Sequence, residues 1–223
     1  IDAYFGRPVD VARFANSLKL TINNPSLDDA FKALMLQLPG EAEITVELAT
    51  DVDAERVHNA RKSVLKKISK LLIDDLIDIF KTRTVHGTYL PDTASCARRS
   101  LKGAALKLLS SADAGEAVQI ATSEFEHASN MTAEMNALGS VLDIDGQAVD
   151  AMVKRFYERH HSDHLLLDKW FMLKAARART ADDIKALILH QSFTYKTPNR
   201  VYALIGGFTG GNLAGFHAVD GSG

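Results

Sequence analysis

The longest apolar pattern in the chain opens at Asp53. From there Val57, Val64, Leu65, Ile68, Leu71, Leu72, Leu76, Ile79 and Phe80 recur at the period of an α-helix over about seven turns, stopping before Gly87. A stripe of that period must bury itself against another element. The interleaved Arg61, Lys62, Lys66, Lys67 and Lys70, followed by Asp74, Asp75 and Asp78, read as the solvated face of the same helix and not as a basic patch. The period returns on both sides. Asp10 to Leu20 is weakly amphipathic and ends at the turn cluster Asn23-Asn24-Pro25. Ser26-Leu27-Asp28-Asp29 reads as a capped start, with Leu27, Ala30, Phe31, Leu34 and Leu38 as the apolar face up to Pro39-Gly40. Between Glu41 and Leu48 the alternation of Ile44, Val46 and Leu48 suggests a strand, but the flanking Glu and Ala favour a helix. Further helical segments are expected at Ala97 to Leu109, Ala114 to Phe125, Met131 to Leu142, Gly146 to Tyr157, Asp163 to Ala178 and Thr180 to His190. The last opens on a capping box with Asp183 in the place of Glu.

The connections are short, about two to six residues, which makes neighbouring helices antiparallel. Such a string closes into a bundle or stacks into a solenoid with a concave binding face. Many short helices favour the all-α solution of stacked antiparallel pairs, a superhelical α-solenoid of the HEAT/ARM kind, although no repeat of fixed period is visible. Residues 1–223 read as a single helical domain, with 1–52 as a helical lead-in. A hydrophobic share of 46% and a formal charge of -2 fit a soluble globular protein. The 26 Lys and Arg are scattered and balanced by 28 Asp and Glu, so nucleic acid is not implied. No apolar run is long enough to suggest a membrane span. The single cysteine, Cys96, excludes an internal disulfide framework, fits a cytoplasmic protein, and is expected to pack between helices. A chain that begins at Ile1 reads as a piece of a longer protein.

Little in the sequence announces chemistry. HExxH, which puts two zinc-binding histidines and a general base on one helix face, is absent. His160-His161-Ser162-Asp163-His164 has the spacing for a metal, with His160 and His164 one turn apart, but falls at an expected helix end and reads as a polar loop. In Glu124-Phe125-Glu126-His127 the two carboxylates would point to different helix faces and read as solvent groups. Trp170 and Phe171 read as a core anchor. The glycines at 206, 207, 210, 211 and 215 follow a helix-like run with no lysine partner. They suggest close approach of helices more than a phosphate cradle.

Five stretches discriminate further: His127-Ala128-Ser129-Asn130-Met131-Thr132, Asp168-Lys169-Trp170-Phe171, His190-Gln191-Ser192-Phe193-Thr194, Pro198-Asn199-Arg200, and Phe216-His217-Ala218-Val219-Asp220-Gly221-Ser222-Gly223. In this order they resemble the C-terminal helical domain of the bacterial aminopeptidase N family, alanyl aminopeptidases of the zinc metalloaminopeptidase superfamily. The resemblance spans roughly Asp53 to Gly223; before Asp53 it is one of helix texture.

The resemblance implies a non-catalytic domain that covers the active site of its parent enzyme and limits access to peptides. Zinc, its ligands and the motif for the free amino terminus would lie in a preceding catalytic domain of the same chain. No catalytic residue, metal ligand or cofactor is expected within these 223 residues. The partners implied are that catalytic domain and peptide substrates. Two departures are visible: Thr197 stands where Asn usually precedes Pro, and Tyr202 where an arginine often follows. Arg200 is therefore expected to face the concave side and meet a substrate carboxylate, with Asn199 orienting the turn and Tyr202 marking the difference from relatives. Two rival readings are a stand-alone α-solenoid interaction module and a metal-dependent enzyme using His160, Asp163 and His164.

Overall fold

The computed structural model describes residues 1–49, 51–218, 220 and 221. Among them there is no strand, and the all-α expectation holds. The helices fall into two compact units, one made of residues 1–39 and 60–144, the other of 40–59 and 145–223.

The first unit contains α1 (Ala12–Ile22), α2 (Asp29–Met35), most of α4 (Ala54–Leu71), α5 (Ile73–Thr82), α6 (Thr93–Ala112), α7 (Ala114–Glu126) and α8 (Met131–Ser140). α6 is its axis and packs against α2, α5, α7 and α8. Leu101, Ala105, Leu108 and Leu109 of α6 share one aliphatic core with Leu18, Ile22, Ile68, Leu72, Leu76 and Ile79. Starts are fixed by side chains that accept otherwise unpaired N–H groups: Asp92 from Ser95, Asp113 from Glu116, and Asn130 from Ala133. At Asp92 the Ser95 N–H holds the carboxyl below its ordinary value.

Two expectations fail here. The stripe from Asp53 is two helices, α4 and α5, not one. They are separated at Leu72, whose N–H reaches back only to the Ser69 carbonyl in a tight turn. The turn preserves the phase of Ile68, Leu72, Leu76 and Ile79 in the core, so periodicity is blind to it. In α2, Asp28 and not Ser26 is the cap, and the helix buries Lys32 and Ala33 while Phe31 and Leu34 are 42% and 62% exposed. The helix packs on α6. Small Ala33 permits close approach, and the lysine stem supplies apolar cover beside it.

The second unit contains α3 (Glu41–Leu48), the start of α4, α9 (Gln147–His160), α10 (His164–Arg177), α11 (Ala181–Ile188) and α12 (Pro198–Val201). A π-helical turn (Tyr202–Gly206), α13 (Gly207–Thr209) and α14 (Leu213–Phe216) complete it. The helix reading of Glu41 to Leu48 holds, with the Gly40 N–H donating to the Glu43 carboxylate at 2.7 Å. The box at α11 forms as read: Thr180 Oγ1 accepts from the Asp183 N–H and the Asp183 carboxylate accepts from the Thr180 N–H. The N–H of Arg179, and then that of Thr180, hold the Asp183 carboxyl below its ordinary value. α10 is the axis of this unit, packing against α9, α12, α13 and the π turn. The core there is aromatic, with Phe156 and Phe171 fully buried.

Candidate functional site

Pro198 occupies the first turn of α12, where its missing N–H costs nothing, and this places Asn199, Arg200 and Tyr202 on a fixed helical frame. Arg200 points inward and is 4% exposed. Its Nε donates to Asp168 Oδ1 at 2.8 Å, its Nη1 to the Ser192 carbonyl at 2.6 Å and its Nη2 to the His164 carbonyl at 3.3 Å. The guanidinium carbon lies 5.6 Å from the centroid of the Phe171 ring. One arginine thus fastens α12 to the first turns of α10 and to the loop after α11. A helix advances about 100° per residue, so Tyr202 emerges roughly opposite Arg200. It is 72% exposed, and Asn199 is exposed too. The turn that Tyr202 opens is π-helical, closed by the Gly207 N–H on the Tyr202 carbonyl, a local widening that often accompanies functional positions.

Behind this frame stands an aromatic cluster. The Trp170 ring lies 4.7 Å from Tyr157, 5.0 Å from Phe171 and 5.1 Å from His190 between centroids. The anchor role expected for Trp170 and Phe171 holds. Burial pushes the His190 imidazole below its ordinary value. The glycine-rich tail makes close approaches. A Cβ on Gly207 would sit 3.2 Å from the Ala175 Cβ of α10, and one on Gly215 would sit 3.1 Å from the Ala178 carbonyl. Asn212, which the sequence did not mark, donates to the Ala175, Ala176 and Ala178 carbonyls and accepts the Gly215 N–H. It thereby satisfies the end of α10 and the start of α14 together. Of the motif Phe216 to Gly223, Val219, Ser222 and Gly223 lie outside the described residues.

The histidine cluster is otherwise engaged. Asp163 caps α10 by accepting the Leu165 and Leu166 N–H groups, while His160 lies against Phe156 and His161 against Tyr157. No group of three His, Cys, Asp or Glu among the described residues is arranged to hold a metal ion.

The first unit holds a feature the sequence reading missed, a cavity of about 350 Å3 beside α6. Arg99, Lys102 and Glu124 line it, as do His127 to Asn130. Glu124 is not a free solvent group: Lys102 Nζ donates to its Oε1 at 2.7 Å and also lies 4.6 Å from the centroid of the Phe80 ring. Cys96 is exposed at this end of α6 instead of packed between helices, with Arg99 Nη2 3.3 Å from its sulfur. The available signal was the run His127 to Asn130, one of the stretches carrying the resemblance, which forms part of the cavity wall.

Helices started by side-chain caps and packed around one central helix in each unit have the make-up of helical repeats. A family model described as "Domain of unknown function (DUF3458_C) ARM repeats" matches residues 6–223, and the chain belongs to that family. Aminopeptidase N of Escherichia coli (strain K12) is 30% identical over 221 residues, covering 98% of this chain and 25% of that protein. Aminopeptidase N of Caulobacter vibrioides is 28% identical over 222 residues, covering 98% and 26%. A crystal structure of Legionella pneumophila aminopeptidase A in complex with aspartic acid matches with a TM-score of 0.83 and 25% identity, over 99% of this chain and 27% of that one. The chain therefore spans about a quarter of the length of the curated relatives it matches, and the motif resemblance to the C-terminal helical domain of aminopeptidase N is borne out.

Proposed function

We propose that the chain serves as the non-catalytic helical part of a cytoplasmic, zinc-dependent aminopeptidase that removes N-terminal residues from peptides, covering the active site and limiting access to it. The observation that carries this reading is the match of one ARM-repeat family to nearly the whole chain together with a quarter of each aminopeptidase N relative. We read residues 1–223 as one domain, which the unbroken family match supports. The described residues do not fit zinc: no three His, Cys, Asp or Glu among them are arranged to hold a metal ion, and in the run His160 to His164 the Asp163 carboxylate already holds the start of α10. No catalytic step is therefore assigned here, and the metal belongs to the rest of the parent enzyme. No helix among the described residues is long and apolar enough to cross a membrane. In this reading Asn199 and Tyr202 meet the far part of a peptide, and Arg200 sets the turn that presents them, three of its five N–H donors being held by Asp168, Ser192 and His164.

The test uses the full-length protein. In Tyr202→Ala and Asn199→Ala the KM for unblocked tetrapeptides is expected to rise severalfold, while hydrolysis of an alanyl chromogenic substrate too short to reach α12 keeps its KM and kcat. An equal change for both substrates, or for neither, would remove the peptide-contact role. Alanyl hydrolysis by the 223-residue chain alone with added zinc would overturn the non-catalytic assignment.

A further inference from the structure

We propose that the cavity beside α6 is a binding site for a small organic carboxylate carrying one negative charge and an apolar tail, with Arg99 as its anchor. Arg99 lines the cavity and is 7% exposed. Its Nη2 donates to the Leu90 carbonyl at 2.8 Å and touches the Cys96 sulfur, and its guanidinium carbon lies 4.6 Å from the centroid of the Tyr89 ring. These contacts fix the group, yet its Nε and Nη1 make no hydrogen bond among the described residues and no carboxylate pairs with it. A buried cation without a counter-charge is costly.

Lys102, one turn further along α6 and 9% exposed, is in a different position because Glu124 neutralises it. The three charged groups therefore leave one unmatched positive charge, and it sits on Arg99. A monoanion balances that charge. A dianion such as phosphate would bring its second charge towards Glu124 and gain less.

The rest of the wall sets the ligand's shape. Phe80, Val85 and Ala133, each half-buried, offer apolar surface for a tail of a few carbons, and about 350 Å3 lies at the small end of the roughly 300–1,000 Å3 typical of small-molecule sites. Asn136 adds a fixed polar group. Its Nδ2 donates to the Arg99 carbonyl at 3.3 Å, and it keeps this place because residue 103 is glycine: a Cβ there would stand 2.5 Å from that nitrogen. A free acid and the C-terminal carboxylate of a peptide share this chemistry. The proposal is independent of the peptide-cleaving role.

The experiment is calorimetric titration of the full-length protein with isovalerate, its uncharged isostere isovaleramide, and N-acetyl-alanyl-leucine, whose blocked amino end prevents its removal by an aminopeptidase. Isovalerate is expected to bind at least about tenfold more tightly than isovaleramide, the scale of one hydrogen bond to a charged group. Arg99→Gln should remove that preference. Ala128→Leu, which fills the cavity without touching the contacts of Arg99, should weaken both carboxylates about tenfold or more, and it decides the matter should Arg99→Gln fail to fold by circular dichroism. Tighter binding of the acetyl dipeptide identifies a peptide end as the ligand, and tighter binding of isovalerate a free acid. Equal affinity for isovalerate and isovaleramide, binding unchanged in either variant, or no binding of either carboxylate would overturn the proposal.

Discussion

Arg99 and Arg200 are both buried arginines lying near an aromatic ring, but their electrical settings differ. Arg200 has an acceptor at each nitrogen, one of them the Asp168 carboxylate, so its charge is consumed in joining α12 to α10. Arg99 is held by one nitrogen to a backbone carbonyl and, among the described residues, has no acceptor at its other two nitrogens, beside a cavity whose lining carboxylate, Glu124, is already taken by Lys102. Burial of an arginine is therefore no sign of function in itself. What separates a fastener from a binding group is how many donors the fold has used, and on that count Arg200 is held more completely than Arg99.

The comparison predicts unequal costs. Asp168→Ala leaves the Arg200 charge buried without its partner and is expected to destabilise the chain by about 3–5 kcal/mol. Trp170, the sole tryptophan, lies two residues from Asp168 in the same core, so urea unfolding followed by its fluorescence reports the loss directly. A loss under about 1 kcal/mol, the scale of an exposed pair, would show that Arg200 is not a fastener. Arg99→Gln removes one hydrogen bond and a cation–π contact, with an expected cost of about 1–2 kcal/mol by circular dichroism in urea. Equal losses in the two variants would break the comparison.

The helices were legible because each combines a 3.6-residue period with a local start signal, and Thr180 with Asp183 forms its cap as read. The division at Leu72 was not legible, since a turn that preserves phase leaves the apolar pattern unbroken. Nor was the inward face of α2: the pattern marks Phe31 and Leu34, while contact with α6 selects Lys32 and Ala33. Arg200 was visible as a residue of interest, but its Asp168 partner lies 32 positions away and only the fold brings them together. The α6 cavity has the same origin. Lys102 and Glu124 are 22 positions apart on different helices, and the sequence marked Glu124 as a solvent group and Lys102 not at all.

The smallest expected effect concerns the core behind Arg200. His190 Nδ1 accepts the Ser192 N–H at 3.2 Å, the residue whose carbonyl also receives Arg200 Nη1, so the neutral imidazole with its proton on Nε2 suits the site. Burial lowers its folded value below the ordinary 6.5. Above that ordinary value both folded and unfolded forms are neutral and the full stability is present; as pH falls below it, the unfolded chain takes up a proton that the folded one resists. Stability is thus lost on acidification through the window between the ordinary and the folded values, at no more than about 1.4 kcal/mol per pH unit. His190→Gln keeps an acceptor and removes the titration, so urea midpoints in that window should fall less steeply with decreasing pH than in the parent chain. Identical slopes would place the acid sensitivity of this unit elsewhere. A steeper parent slope would tie it to the aromatic core that Arg200 holds shut.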